Sequence, residues 1–439
     1  MSARSLLRRV LVAWLLVSGL TRLAPAHPQI PGPPQTRPVA LVNAVLHPVS
    51  GPAIERGTLV FDQGRIVALG RDVTIPAGAE VIDLAGQHVY PGLLEPLSDL
   101  GLIEINSIRA TIDSQETGQL NPNVRALVAV NPDSELIPVT RSNGILLALA
   151  APAGGLISGR SAVIQLDGWT WEEMALKGDT ALHIQWPSLT GGGARGGRGG
   201  QPAGPTGTQA IEQLRQALAD ARAYRAARQA DPSFPRDARW EALQDVLEGR
   251  LPVIIHADQW QQITSAVAFA RQEGLRMILA GGYDAPQCLA LLKEHDIPVI
   301  VGGTYRLPRR RGDAYDASYA LPAELHKAGV RFCISARARF GASQVRNLPY
   351  HAAVAVGFGL PADEALKAIT LYPAQILGVA DRVGSLEVGK DATLFVADGD
   401  PLETPTQVLA AWIRGRKVDL NDRHKMLYRK YEAKYSQGR

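Results

Sequence analysis

The feature that most restricts this chain is a change of hydrophobic period that happens twice. Residues 39–90 read as β structure, the stretch from about 91 onward alternates short apolar runs with helical periodicity, and β structure returns near the end. In the first part, Gly57 to Phe61 and Arg65 to Leu69 flank Asp62-Gln63-Gly64, a short glycine-containing hairpin signal, and Ala79 to Leu84 alternates at period two. In the middle, the clearest strand candidates are Gly144 to Ala151, Leu251 to His256, Leu275 to Ala280, Pro298 to Gly302 and Val330 to Ser335. The clearest helices there are Ile211 to Arg228, Gln262 to Glu273, Pro286 to Glu294 and Pro361 to Leu377. Strands alternating with helices predict βα units around a parallel sheet. Ala392 to Val396 and Val408 to Ile413 then supply late strands, and two β segments at opposite ends predict one composite sandwich (38–90 with 381–420) beside the βα region at 91–380.

Composition narrows the class. Of 439 residues, 46% are hydrophobic and 20% charged, which is ordinary for a soluble globular protein. The 46 basic and 42 acidic side chains give a net charge of +4, too mild to argue for nucleic acid. Part of the excess lies in a basic tail at 421–439, expected to be a solvated helix face. Arg4, Arg8 and Arg9, the apolar run Val10 to Leu20 and Ala24-Pro25-Ala26 have the order of a secretory signal peptide, predicted to span 1–26. The expected location is therefore periplasmic or secreted. No other apolar stretch is long enough to span a bilayer. Export permits a disulfide between Cys288 and Cys333, but both sit in apolar patterns and are expected to be buried free thiols. A glycine-rich segment at 190–208 cannot bury a core and is expected to be a flexible insertion.

Four segments carry a family resemblance: Tyr90-Pro91-Gly92-Leu93, then Val253-Ile254-Ile255-His256-Ala257, then Glu364 to Thr370 running on to Leu377-Gly378, and last Gly384 to Ala392. In this order the chain resembles the imidazolonepropionase-like branch of the amidohydrolase superfamily, from about Val39 to Val418. The resemblance implies an α/β fold: a distorted (β/α)8 TIM barrel plus a small composite β-sandwich. It also implies a site at the C-terminal ends of the barrel strands. There, His and Asp side chains of active relatives hold divalent metal, whose bound water loses a proton near neutral pH and attacks an amide carbon. The implied activity is hydrolysis of carbon–nitrogen bonds other than peptides, such as cyclic amides.

The ligand positions of that pattern are mostly changed. The strand-one histidines fall on Leu97 and Asp99, and no His-x-His occurs in the chain. Glu95 stands at the family's Asp position. The strand-five histidine is kept as His256. Strand six reads Leu279-Ala280-Gly281-Gly282-Tyr283-Asp284, without its histidine, and strand eight reads Ile334-Ser335-Ala336-Arg337, without its acid. A catalytic zinc needs three protein ligands plus water, and His256 is the one retained position. No metal cofactor is expected, and zinc enters only if Asp99, His256 and Asp284 rebuild a site. Those three are the catalytic candidates, and Glu95, His256, Asp258, Arg306 and Arg337 are the ligand-binding candidates. The blander reading of Asp99 and Asp258 is capping of loops and helices, and that of His256 a hydrogen-bonded core residue. Whether the chain is an enzyme stays open. The alternative is a non-catalytic barrel that binds a small anionic ligand through Arg306, Arg309, Arg310, Arg311, Arg337 and Arg339, or that pairs with an intact paralogue or with itself. The expected partner is a small molecule, with no nucleic acid and no membrane span.

Overall fold

The computed structural model describes residues 27–189, 207–337 and 341–437. The predicted signal peptide, most of the glycine-rich insertion and Arg339 lie outside the described residues. The chain opens with β1 (Val39–Leu46), β2 (Ile54–Asp62), β3 (Arg65–Gly70), β4 (Glu80–Asp83) and β5 (His88–Pro91). Gln63 and Gly64, both at positive φ (48° and 77°), make the two-residue turn between β2 and β3 that Asp62-Gln63-Gly64 predicts. The barrel strands follow as β6 (Leu93–Ser98), β7 (Ile145–Ala150), β8 (Ile157–Gln165), β9 (Ala175–Gln185), β10 (Val253–Ala257), β11 (Met277–Gly281), β12 (Val299–Val301) and β13 (Phe332–Ile334). The last strands are β14 (Leu394–Ala397), β15 (Val408–Ile413) and β16 (Arg416–Lys417). They join the first five in one mixed sheet, β16-β15-β14-β5-β1-β2-β3, with β4 on β1. That sheet encloses an apolar cluster drawn from both ends of the chain, including Leu41, Phe61, Leu394 and Trp412.

The barrel departs from a strict (β/α)8 pattern at β8. Its strands pair in chain order, but β7–β8 and β8–β9 are antiparallel while the other neighbours are parallel. Only residues 151–156 separate β7 from β8. A parallel return needs a crossover of about a dozen residues or more, so this connection can only reverse direction.

The seam between β13 and β6 is closed by other means. Ile334 N–H donates to the Ala368 carbonyl and Leu94 N–H to the Ile369 carbonyl, each at 2.9 Å. The expected helix Pro361 to Leu377 is therefore two helices, Ala362–Lys367 and Leu371–Ile376, broken at Thr370 (φ −133°, ψ −83°). Residues 368 and 369 give their carbonyls to the barrel rather than to a helix. The expected helix Pro286 to Glu294 likewise starts as a 3-10 turn, Ala285–Cys288, before Leu289–Glu294.

Period two decides which residues point into the barrel. Ile254, Ile278, Ala280, Ile300 and Cys333 pack in one interior cluster, whereas Val253, Ile255, Met277 and Leu279 pack outward against the helices. His256 shares the inward parity of Ile254. Cys288 and Cys333 are both free and buried. Burial pushes the Cys333 thiol well above its ordinary range and Cys288 up as well. Neither should react with Ellman's reagent at neutral pH until the protein unfolds, and rapid labelling of the native chain would refute this.

Candidate functional site

A cavity of about 690 Å³ opens at the C-terminal ends of the barrel strands. Leu97 lines it from β6, Gln185 from β9, His256 and Ala257 from β10, and Ala280 and Gly281 from β11. Tyr305, Arg306, Leu307 and Arg309 come from the loop after β12, and Arg337 follows β13. Of the sequence-derived candidates, His256, Asp258, Arg306 and Arg337 reach this cavity. Glu95, Asp99 and Asp284 do not line it.

His256 does not stand alone. Parallel pairing sets Gln185 opposite His256, and His183, two residues earlier on β9, brings Nδ1 within 2.9 Å of His256 Nε2. Burial and the Arg337 charge hold the His183 imidazole down to about 3, and burial, His183 and Arg337 hold His256 well below its ordinary value. Both rings are neutral at physiological pH and share one proton across their contact. Sequence reasoning missed His183. The alternation Ala181-Leu182-His183-Ile184-Gln185 was the available signal.

Glu95 serves the barrel seam. It is fully buried, and its carboxyl accepts from Leu97 N–H (3.0 Å), Ser335 Oγ–H (2.5 Å) and Ala336 N–H (2.8 Å). Burial outweighs these donors and the Arg337 charge, so the carboxyl is pushed up to about 7. Asp99 is raised by burial and lowered by Arg337 and by the Ala342 backbone. The Arg337 guanidinium thus acts electrostatically on Glu95, Asp99, His183 and His256 together. Two polar atoms of this group, Asp99 Oδ1 and His183 Nε2, are buried without a hydrogen-bond partner among the described residues.

The other acids are committed elsewhere. Asp258 meets Arg309 at 2.5 Å and Arg306 at 3.7 Å. Asp284, expected as a site residue, is buried in a two-bond pair with Arg310 and accepts from the Trp260 backbone N–H (3.1 Å) at the start of helix Trp260–Glu273. Tyr283 packs under both arginines, with each guanidinium 5.6 Å from its ring centre, and its hydroxyl donates to Asp313 (2.8 Å). Arg309 and Arg310 are therefore held in ion pairs, while Arg306 has its 3.7 Å contact with Asp258 and lines the cavity. His351 serves packing, since Thr304 N–H donates to its Nδ1 (2.9 Å) in a buried contact.

These residues do not fit a divalent ion. Among the described residues no three His, Cys, Asp or Glu side chains converge. Leu97 is buried carbon. Gly281 stands where the pattern calls for the strand-six histidine, at φ +101°, and a Cβ there would lie 2.7 Å from Asp258 Oδ1. A histidine there would be strained at this φ and would displace the Asp258 side chain. Asp284 is held by Arg310 and His256 faces His183, so Asp99, His256 and Asp284 do not converge on one point.

The chain is similar to known hydrolases over most of its length. The model of the Amidohydrolase family matches residues 208–420. The crystal structure of an amidohydrolase from Thermotoga maritima MSB8 matches with a TM-score of 0.78 at 25% sequence identity, covering 87% of this chain and 99% of that one. Amidohydrolase tasK of Hapsidospora irregularis is 22% identical over 82% of this chain, which spans only 39% of that protein. Imidazolonepropionase of Mesorhizobium japonicum is 24% identical over 81% of this chain and 89% of its own.

Proposed function

Because this chain belongs to the amidohydrolase superfamily, on its imidazolonepropionase-like branch, we propose that its barrel mouth binds a small uncharged amide without hydrolysing it through metal-bound hydroxide. The observation that carries this reading is the placement of Arg337. A guanidinium lines the cavity and acts on the acids and imidazoles of the mouth, where the superfamily places a metal cation. A fixed positive charge there repels a divalent ion at short range.

The charges of the mouth answer one another. Asp99 and Glu95 face Arg337, Asp258 faces Arg306 and Arg309, and Asp284 faces Arg310. On the lining itself Asp258 stands against Arg306, Arg309 and Arg337, so ion pairing and the acids behind the wall weaken the pull on a free anion without cancelling it. The cavity suits a neutral molecule with both donors and acceptors, as a cyclic amide has. Gln185 and the neutral His256 offer such groups, and Leu97, Ala257, Tyr305 and Leu307 offer apolar walls. The imidazolone ring in the name of one relative, imidazolonepropionase, points to a cyclic amide, and the propionate in that name carries a carboxylate.

The test is metal analysis of the purified protein together with calorimetric titration by hydantoin, a neutral cyclic ureide, and by propionate. Expected are substoichiometric metal after exposure to zinc, binding of hydantoin but not propionate, and a loss of about five- to ten-fold in affinity on Gln185→Ala. Near-stoichiometric zinc that disappears on His256→Ala would sink the reading, as would tight propionate binding without hydantoin binding.

A further inference from the structure

The C-terminal helix Arg423–Ser436 buries no residue. Its start is firmly built: Asp422 accepts from His424 N–H (2.7 Å) and Lys425 N–H (3.0 Å). Lys425 Nζ donates back to the Leu420 carbonyl and Arg429 to Asn421 Oδ1, each at 2.8 Å. These contacts turn one side of the helix toward the chain that precedes it. The opposite side carries Leu427, Tyr428, Tyr431 and Tyr435, exposed by 42, 67, 48 and 70%. At 100° per residue these four fall within one quadrant or so of the helix surface. Lys430 and Lys434 flank that stripe and lie over its rings, 5.8 Å and 6.0 Å from the Tyr431 centre, with Lys434 5.7 Å from Tyr435. The helix holds five Lys and Arg against one Glu.

We infer that this helix is a peripheral docking arm for an anionic lipid surface, on which the tyrosine stripe lies flat while the flanking lysines meet the headgroups. Charge complementarity selects the occupant. A helix with an aromatic face bordered by cations matches the interfacial layer, where phenol rings sit at headgroup depth. A single-stranded nucleic acid calls for a groove that tracks its backbone, and this helix is convex on every side. An isolated helix of this length with no buried face is marginal in water, so docking also supplies the packing it lacks. Attachment is peripheral, because no helix among the described residues is long and apolar enough to cross a membrane.

The test is sedimentation of the full chain with vesicles of mixed phosphatidylglycerol and phosphatidylcholine, and with pure phosphatidylcholine vesicles. Expected is salt-sensitive binding to the anionic vesicles alone. K430E/K434E should weaken it by at least about 25-fold, from about five-fold per removed cation. Y431S/Y435S should weaken it separately, and a chain ending at Asp422 should keep its thermal midpoint while losing binding. Equal sedimentation of the full and shortened chains overturns the proposal. So does equal binding to both vesicle types, or retention on a single-stranded RNA oligomer with none on vesicles.

Discussion

Arg141→Met should lower the unfolding free energy by about 3–5 kcal/mol, as expected when one partner of a buried ion pair is removed. Arg141 and Asp167 form that pair at 2.9 Å, with side chains 3% and 1% exposed. Arg141 also donates to the carbonyls of Leu166 (3.0 Å) and Pro28 (2.5 Å), and Asp167 accepts from Gly32 N–H (3.2 Å) and lies 3.5 Å from Arg416. The pair ties residues 28–32, helix Leu136–Arg141, the end of β8 and β16 together. Burial pulls the Arg141 guanidinium down and pushes the Asp167 carboxyl up. Each ion is thus held by the other rather than by water, and the survivor of a single substitution is stranded. The double variant Arg141→Met/Asp167→Leu should recover part of the loss, because the two most buried charges go together and Arg416 keeps solvent and Glu173. Urea unfolding of the three proteins checks both statements. A single-variant loss below about 1 kcal/mol, the range of an exposed pair, would refute them.

The second large effect concerns Glu95 and pH. Its folded carboxyl titrates near 7, against 4.5 for the ordinary group. The folded state therefore binds the proton more tightly than the unfolded state. Stability is fully present below pH 4.5, falls as pH rises toward about 7, and levels off above that. The size of the fall is on the order of 3 kcal/mol. Glu95→Gln cannot ionise and should flatten the profile in this window. Glu95→Ala should destabilise at every pH by about 3 kcal/mol or more, because Leu97 N–H, Ser335 Oγ and Ala336 N–H lose their buried acceptor. Stability of the wild type measured from pH 4 to 8 decides the matter. A profile unchanged by Glu95→Gln would show that another group carries it.

Both predictions concern side chains whose partners lie far away in the chain. Glu95 and Ser335 are 240 residues apart, Arg141 and Pro28 are 113. Sequence reading named Glu95 as a ligand-binding candidate because it stands at a family position. Its work in the structure is to hold together a seam where β6 and β13 do not pair. Asp284 was named because it follows β11, and its carboxylate proved to be held by Arg310 and the Trp260 backbone.

Local chemistry alone was enough for β7, β10 to β13 and the β segments at both ends, because side-chain period and turn residues act over a few positions, but it did not mark β8 and β9. It was also enough to reveal the altered ligand positions, since Leu97 and Arg337 cannot coordinate in any conformation. The His183–His256 contact, the ion pairs that neutralise the mouth and the reversed β8 were decided in three dimensions. Each depends on which strand lies beside which, and that register is set by the packing of the whole barrel rather than by neighbouring residues.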